Sequence, residues 1–291
     1  MTHHQQGFTL VELIVSITLI GILAVVAVPM VRTPMQAYMD ASQRAELAGQ
    51  LDASVAKMRD DLAAAVPNSI RVRVAGQRRY IEFMPAVASG RYRSQAAATV
   101  CPNDMLEFAP VTEGCFTSLT PLQACAPAAA GCDWVVVNAI DSNGVLNQDP
   151  YFGGAATPAN GVKARFLNAN AAGLGSRITM TAHQFQAPPA NKQFYIASNP
   201  VSYGCDPVGT RQLTRYNGYA MAAVQPIVFP AASGAPLATL ISGCEIKYTP
   251  IGALGRGGVV SVWLRFTAPS AGTGAPESIE SFSVISVREP T

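Results

Sequence analysis

Gly7-Phe8-Thr9-Leu10-Val11-Glu12-Leu13-Ile14-Val15-Ser16-Ile17-Thr18-Leu19-Ile20-Gly21-Ile22-Leu23-Ala24-Val25-Val26-Ala27-Val28 is the stretch on which the reading of this chain turns. From Phe8 to Val28 it holds 21 residues and one charge, Glu12. As a helix rising about 1.5 Å per residue it spans roughly 31 Å, enough to cross a bilayer. A carboxylate at the middle of a bilayer costs about 2.5–3.5 kcal/mol on insertion scales, and less near an end, where Glu12 lies. Even there it calls for a counterion.

Three readings compete. A secretory signal peptide could be cut after Val25-Val26-Ala27, but residues 1–7 carry no Lys or Arg and a carboxylate interrupts the apolar run. A plain signal anchor leaves Glu12 unexplained. The third reading supplies the counterion: a cut between Gly7 and Phe8 frees an α-amino group one helical turn from Glu12. In a bundle of parallel helices, Glu12 of one chain can then neutralise the Phe8 amine of its neighbour. A buried ion pair that loses one partner is costly, so the charge that is expensive in a monomer favours docking in register.

These residues carry a family resemblance. Gly7-Phe8-Thr9-Leu10-Val11-Glu12-Leu13-Ile14 resembles the class III signal of type IV prepilins and type II secretion pseudopilins. The resemblance implies a leader of residues 1–7, cleavage between Gly7 and Phe8, N-methylation of Phe8 and an assembly role for Glu12. A membrane peptidase and N-methyltransferase acts on such chains, so this one is expected to be a substrate and not an enzyme. Pro29 falls where the family carries a helix-kinking proline. Pro29 and Pro34 each remove a backbone donor, and a locally melted segment there would let the helix stretch in a filament.

Composition agrees with a membrane segment. The 291 residues include 20 Lys+Arg and 18 Asp+Glu, a net charge of +2, so neither a polycationic binder nor an acidic tail fits. Charged residues are 13% of the chain, about half the usual share. His3, His4 and His183 are the only histidines, too few for a multi-histidine metal centre. Six cysteines, none in a C-x-x-C pair, fit disulfides in an oxidising compartment.

Residues 29–66 read as an amphipathic helix ended by Pro67-Asn68, with Leu51, Val55, Met58 and Leu62 as its apolar stripe. Beyond Pro67 the period becomes two. Ile70, Val72 and Val74 alternate with Arg71 and Arg73, Gly76-Gln77 suits a II′ hairpin turn, and Ile81 and Phe83 return. Trp134-Val135-Val136-Val137 reads as a short buried strand. Ile178, Met180 and Ala182 alternate with Thr179, Thr181 and His183, which places His183 on an exposed face. Val260 to Phe266 and Ile279 to Val287 are the last strands. The expectation is an α+β fold: a long N-terminal pilin helix, transmembrane over 8–28 and amphipathic over 29–66, packed on a mostly antiparallel β head of residues 67–291. Residues 96–176, rich in Ala, Gly, Pro and Asn, read as a loop-rich insertion. Close spacing favours Cys101–Cys115 and Cys125–Cys132, leaving Cys205–Cys244, one of 15 pairings.

Other chemistry is thin. Asp141-Ser142-Asn143-Gly144 with Asp149 has part of a calcium-loop spacing, but position twelve is Phe152 and not a glutamate. No nucleophile elbow, zincin or P-loop pattern occurs, and no cofactor or metal is expected. Arg71, Arg73, Arg78, Arg79, Arg91 and Arg93 stand against Glu82 alone between residues 71 and 93, with Tyr80 and Tyr92 among them. They form a candidate anion-binding surface, for nucleic acid among other ligands, against the plainer reading of a solvated face or subunit contact.

A second resemblance concerns the head. Gly90-Arg91-Tyr92-Arg93, Val201-Ser202-Tyr203-Gly204-Cys205-Asp206, Leu213-Thr214-Arg215-Tyr216, Ser242-Gly243-Cys244 and Arg256-Gly257-Gly258-Val259-Val260 are similar to blocks of large minor prepilins such as those of the mannose-sensitive haemagglutinin (MSHA) pilus. It implies a tip-associated subunit working with minor and major pilins, the prepilin peptidase, an inner-membrane assembly platform and a cytoplasmic ATPase. Such a chain sits in inner-membrane lipid with a periplasmic head before assembly and in the pilus afterwards. Rival readings are a type II secretion pseudopilin, a secreted enzyme and a DNA-uptake tip protein.

Overall fold

The computed structural model describes residues 9–95, 101, 104–109, 111–122, 125, 131–142, 148–156, 158–172, 175–251, 257–269 and 275–288. The chain is an α+β protein: one long N-terminal helix, α1 (Leu10–Ala63), precedes mostly antiparallel sheets. It divides into two compact units, residues 1–49 with 267–279, and residues 50–266 with 280–291.

In the first unit α1 exposes nearly every side chain from Leu10 to Met39. Gln43 Nε2 donates to Pro269 O at 2.9 Å, and Arg44 pairs with Glu277 at 2.7 Å. In the single chain the helix runs through Pro29 and Pro34 without a break. Each proline deletes one backbone bond, whereas the flanking turns keep theirs, and a helix of 54 residues is cooperative enough to bridge the gap.

In the second unit the stripe is where periodicity puts it. Leu51, Val55, Met58 and Leu62 are buried, while Asp52, Lys57, Arg59 and Asp60 are exposed. The helix stops at Ala63, short of the expected boundary, because the next residues are claimed by another segment: Ala65 bridges Pro85, and Val66 N–H bonds Met84 O at 2.8 Å. Asp61 fastens the helix to the sheet beneath it. One carboxylate oxygen accepts from Tyr203 Oη at 2.7 Å and Arg215 Nε at 2.6 Å, the other from Lys57 Nζ at 2.8 Å.

That sheet is antiparallel, in the order β1 (Arg71–Ala75), β2 (Arg78–Phe83), β10 (Val201–Asp206), β11 (Gln212–Tyr216) and β12 (Gly234–Ala238). The β1–β2 turn is Gly76-Gln77, with φ of +61° at Gly76 and Ala75 paired to Arg78, as a glycine-first hairpin requires. A second sheet holds β13 (Ile241–Pro250), β14 (Gly257–Ala268) and β15 (Glu277–Arg288).

The third sheet runs through the segment read as a loop-rich insertion, whose strands are separated by long connections. Its order is β3 (Ala86–Arg91), β9 (Gln193–Ala197), β5 (Trp134–Val136), β7 (Lys163–Ala172), β8 (Gly175–Phe185) and β4 (Glu113–Ser118), with the short β6 (Asn160–Gly161) parallel to β8. Its two ends then meet: Tyr92 bridges Ser118, Leu119 N–H bonds Arg91 O at 2.8 Å, and Arg93 N–H bonds Thr117 O at 2.9 Å. The sheet therefore closes into a small barrel, which leaves no long open edge. Tyr92, Phe116, Val135, Phe166, Ile178, Phe194 and Ile196 are among the side chains that fill it. Trp134 and Val136 face outward into a separate cluster with Val66, Met84, Tyr151, Tyr195 and Met221. Burial on both faces explains why residues 134–137 are uniformly apolar.

The barrel spans residues 86–197, wider than the expected 96–176, and lies between β2 and β10, which are hydrogen-bonded neighbours. Two disulfides belong to it, Cys101–Cys115 and Cys125–Cys132. The third, Cys205–Cys244, ties β10 to β13. This is the pairing that close spacing favours.

Candidate functional site

The N-terminal segment is built from local rules. Thr9 precedes the first helical residue, and its Oγ1 accepts from Glu12 N–H at 3.3 Å while Leu13 N–H bonds Thr9 O at 3.1 Å. Thr9-Leu10-Val11-Glu12 thus has capping-box spacing, a signal that periodicity alone passes over. An acid in the first turn also suits the positive end of the helix. Ser16 Oγ donates to Glu12 O at 2.7 Å, and Thr18 Oγ1 lies 3.0 Å from Ile14 O and 2.9 Å from Val15 O. These hydroxyls are satisfied within the helix, as a lipid surrounding demands. The helix is long and apolar enough to cross a membrane, and its most apolar window has no buried residue. Glu12 is exposed among Leu10, Val11, Leu13 and Ile14 and has no ion pair among the described residues. Gly7 and Phe8, the expected cleavage and methylation positions, lie outside the described residues.

Four of the six candidate anion-binding arginines have partners within the fold. Arg71 is buried: Nε donates to Glu82 Oε2 at 2.5 Å, Nη1 to Ala223 O at 2.6 Å and Nη2 to Ala222 O at 2.8 Å, and the guanidinium lies 3.6 Å from the Tyr151 ring centre. Arg73 donates to Gln225 O. Arg78 pairs with Asp206 at 2.9 Å and Arg79 with Glu245 at 3.0 Å. Arg71 and Arg73 do share a strand face, but that face holds down the 217–230 loop. Their partners lie some 150 positions away in sequence, so no local pattern announces them. Arg91 and Arg93 lie apart, at the barrel seam.

His183 is buried, not exposed. Nδ1 is 3.0 Å from Pro158 O, and the ring meets Phe185 edge-on at 4.7 Å. The inward phase changes along β8, from Ile178 and Met180 to His183 and Phe185, opposite irregular pairing in both neighbours, between Glu113 and Cys115 and between Phe166 and Asn168. Such irregularities move side chains to the other face. Burial lowers the His183 pKa, which favours the neutral ring. Of the partial calcium loop, Asp149 Oδ1 accepts from Tyr151 N–H at 2.7 Å and Asp141 Oδ1 from Ser142 N–H at 2.7 Å. No cluster of three or more metal-binding side chains occurs among the described residues.

Two further ionisable groups had no sequence signal. Lys163 is buried, donates to Gly154 O at 2.6 Å and lies 3.0 Å from Met221 Sδ; burial lowers it to about 8. Glu113 is raised to about 7 by burial and by its hydrogen bond and repulsion with Glu107. The folded chain therefore holds the Glu113 proton more tightly than the unfolded chain does. The linked stability is complete below the ordinary value of 4.5 and is lost as pH rises through about 7. Denaturant unfolding of the full chain in detergent is expected to lose on the order of 1–2 kcal/mol between about pH 5 and pH 8, a figure discounted for solvent screening. Glu113→Gln is expected to remove more than half of that slope; an unchanged slope would assign it to other groups.

Comparison with known proteins bears on the N-terminal segment. Residues 2–28 match the family model of the prokaryotic N-terminal methylation motif. The chain thus carries the methylation motif of prepilins, which supports a type IV pilin or pseudopilin. No curated protein and no solved structure matches the chain.

Proposed function

We propose that this chain is a minor type IV pilin, a structural subunit that helps to start or cap a pilus as part of its tip and contributes to surface attachment. The observation that carries the reading is the methylation motif over residues 2–28, which runs into a helix whose most apolar window has no buried residue. The similarity of the head to blocks of biogenesis protein O of the MSHA pilus supports a tip role, and so does bulk. Residues 67–291 make a large head to repeat along a thin filament, and a tip position removes that crowding. The steps are membrane insertion, cleavage after Gly7, methylation of Phe8, docking guided by Glu12, and transfer of the apolar helix from lipid into the filament core. A pseudopilin of a type II secretion machine is the second reading, since the same motif serves both.

Mass spectrometry of the chain from cell envelopes tests the proposal. The expected product begins at N-methylated Phe8. A product beginning at Val28 would support an exported enzyme instead, and an intact leader would remove the docking step. Glu12→Ala is expected to leave cleavage intact and to reduce the chain in sheared pili on the order of tenfold or more, as loss of one partner of a desolvated ion pair implies. Wild-type amounts in sheared pili would show that Glu12 does not guide docking.

A further inference from the structure

Of the six arginines between residues 71 and 93, four have partners inside the head, as described above. Arg91 and Arg93 have no side-chain hydrogen bond or ion pair among the described residues, and Arg93 Nε is shut off from solvent without an acceptor. A charged donor left in that state is costly unless something accepts from it.

The barrel seam brings a third arginine to them. Arg93 N–H bonds Thr117 O, Thr117 pairs with Arg177 across β4 and β8, and Arg177 pairs with Asn170 on β7. Tyr92, Phe116 and Ile178 point into the barrel. By alternation Arg93, Thr117, Arg177 and Asn170 form one row across the outer wall, with Arg91 two residues from Arg93 on the same side. Strands about 4.8 Å apart put the backbones of Arg93 and Arg177 roughly 10 Å apart, within reach of one ligand for two long side chains. Arg177 also has no ion pair among the described residues. One carboxylate shares the row: Asp104 is buried and accepts from Thr117 Oγ1 and Cys101 N–H, both at 3.3 Å. Three guanidinium groups against one carboxylate leave the row with a net positive charge.

We propose that Arg91, Arg93 and Arg177 form a binding site for a phosphate-bearing anion on the outer wall of the barrel. A carboxylate offers two oxygens, which one guanidinium fork satisfies. A phosphate offers three or four and accepts from forks arriving from separate strands. The site is independent of the N-terminal motif and adds a ligand to the pilin-like reading.

The test is calorimetric titration of inorganic tripolyphosphate into the full chain in detergent at low salt, where phosphate contacts are strongest. Binding is expected. Arg93→Gln and Arg177→Gln should each weaken it by about tenfold, the loss of a charge-assisted contact. Arg93→Lys, which keeps the charge and loses the fork, should fall between. Arg78→Gln, whose arginine already pairs with Asp206, should change it less than about twofold. Melting of each variant checks folding, and Arg177→Gln carries the test if Arg93→Gln unfolds. Binding weaker than about 1 mM, or equal losses from Arg78→Gln and Arg177→Gln, would overturn the site. Phosphatidylglycerol vesicles and short duplex DNA, added as competitors, separate the sources. Displacement by vesicles supports a lipid headgroup, displacement by duplex a nucleic acid, and displacement by neither a free phosphate.

Discussion

Arg71→Ala is expected to destabilise the head by about 3–5 kcal/mol, the cost of leaving one partner of a buried ion pair uncompensated. Glu82, fully buried, would keep the Tyr219 hydroxyl at 2.7 Å but lose its cation. Ala222 O and Ala223 O would lose their donors, and the face of Tyr151 would lose the guanidinium stacked on it. The 217–230 loop would then be held by Tyr219 on Glu82 and Ser202, by Arg73 on Gln225 O and by Lys163 through Met221. Arg78→Ala is the contrast, because the Arg78 side chain is 52% exposed and its pair with Asp206 is worth under about 1 kcal/mol. Denaturant midpoints of both variants, read on the full chain in detergent, check the expectation. Equal midpoints would show that the buried cluster does not clamp the loop. Arg71→Met with Glu82→Leu, which removes both charges and keeps the bulk, should recover most of the loss.

The second large effect concerns processing. On the proposed reading Gly7→Leu leaves the leader attached in nearly all molecules, while Gly7→Ala is tolerated, because the peptidase must admit the side chain before the cut. An uncut chain has no free amine at Phe8. Glu12 then has no counterion in the bundle, so Gly7→Leu should also keep the chain out of sheared pili. Intact mass of the envelope form decides it: a Gly7→Leu chain starting at Phe8 would place the cut elsewhere or make it indifferent to residue 7.

What could be read from the sequence follows from the size and spacing of side chains. Leu51, Val55, Met58 and Leu62 repeat at helical spacing with charges between them, and that pattern survives folding because local geometry sets it. The Gly76-Gln77 hairpin and the strand at 134–136 are likewise local. The barrel was hidden because its strands use small and polar residues: Asn168, Ala169, Asn170, Ala171 and Ala172 belong to β7, yet as composition they read as loop. His183 was misplaced because a phase change along β8 depends on irregularities in neighbouring strands. The partners of Arg71 and Arg73 are not legible in the sequence, because adjacency says nothing of acceptors supplied by Ala222, Ala223 and Gln225. The Thr9-Glu12 cap is a local pattern too, because the first amides of a helix need acceptors and Thr9 stands where one is required.

The barrel has a consequence for order of formation. Phe83 and Val201 lie side by side in the first sheet, so β2 cannot complete its ladder until every strand of the barrel has emerged and β10 follows. Threaded across a membrane from its amino end, the chain would hold an open strand edge for most of its passage. A barrel that closes on itself, stapled within its own bounds by two short-range cystine links, can fold as a finished parcel in the meantime. It then delivers β10 to the waiting edge with its register already fixed by the two ends of the parcel.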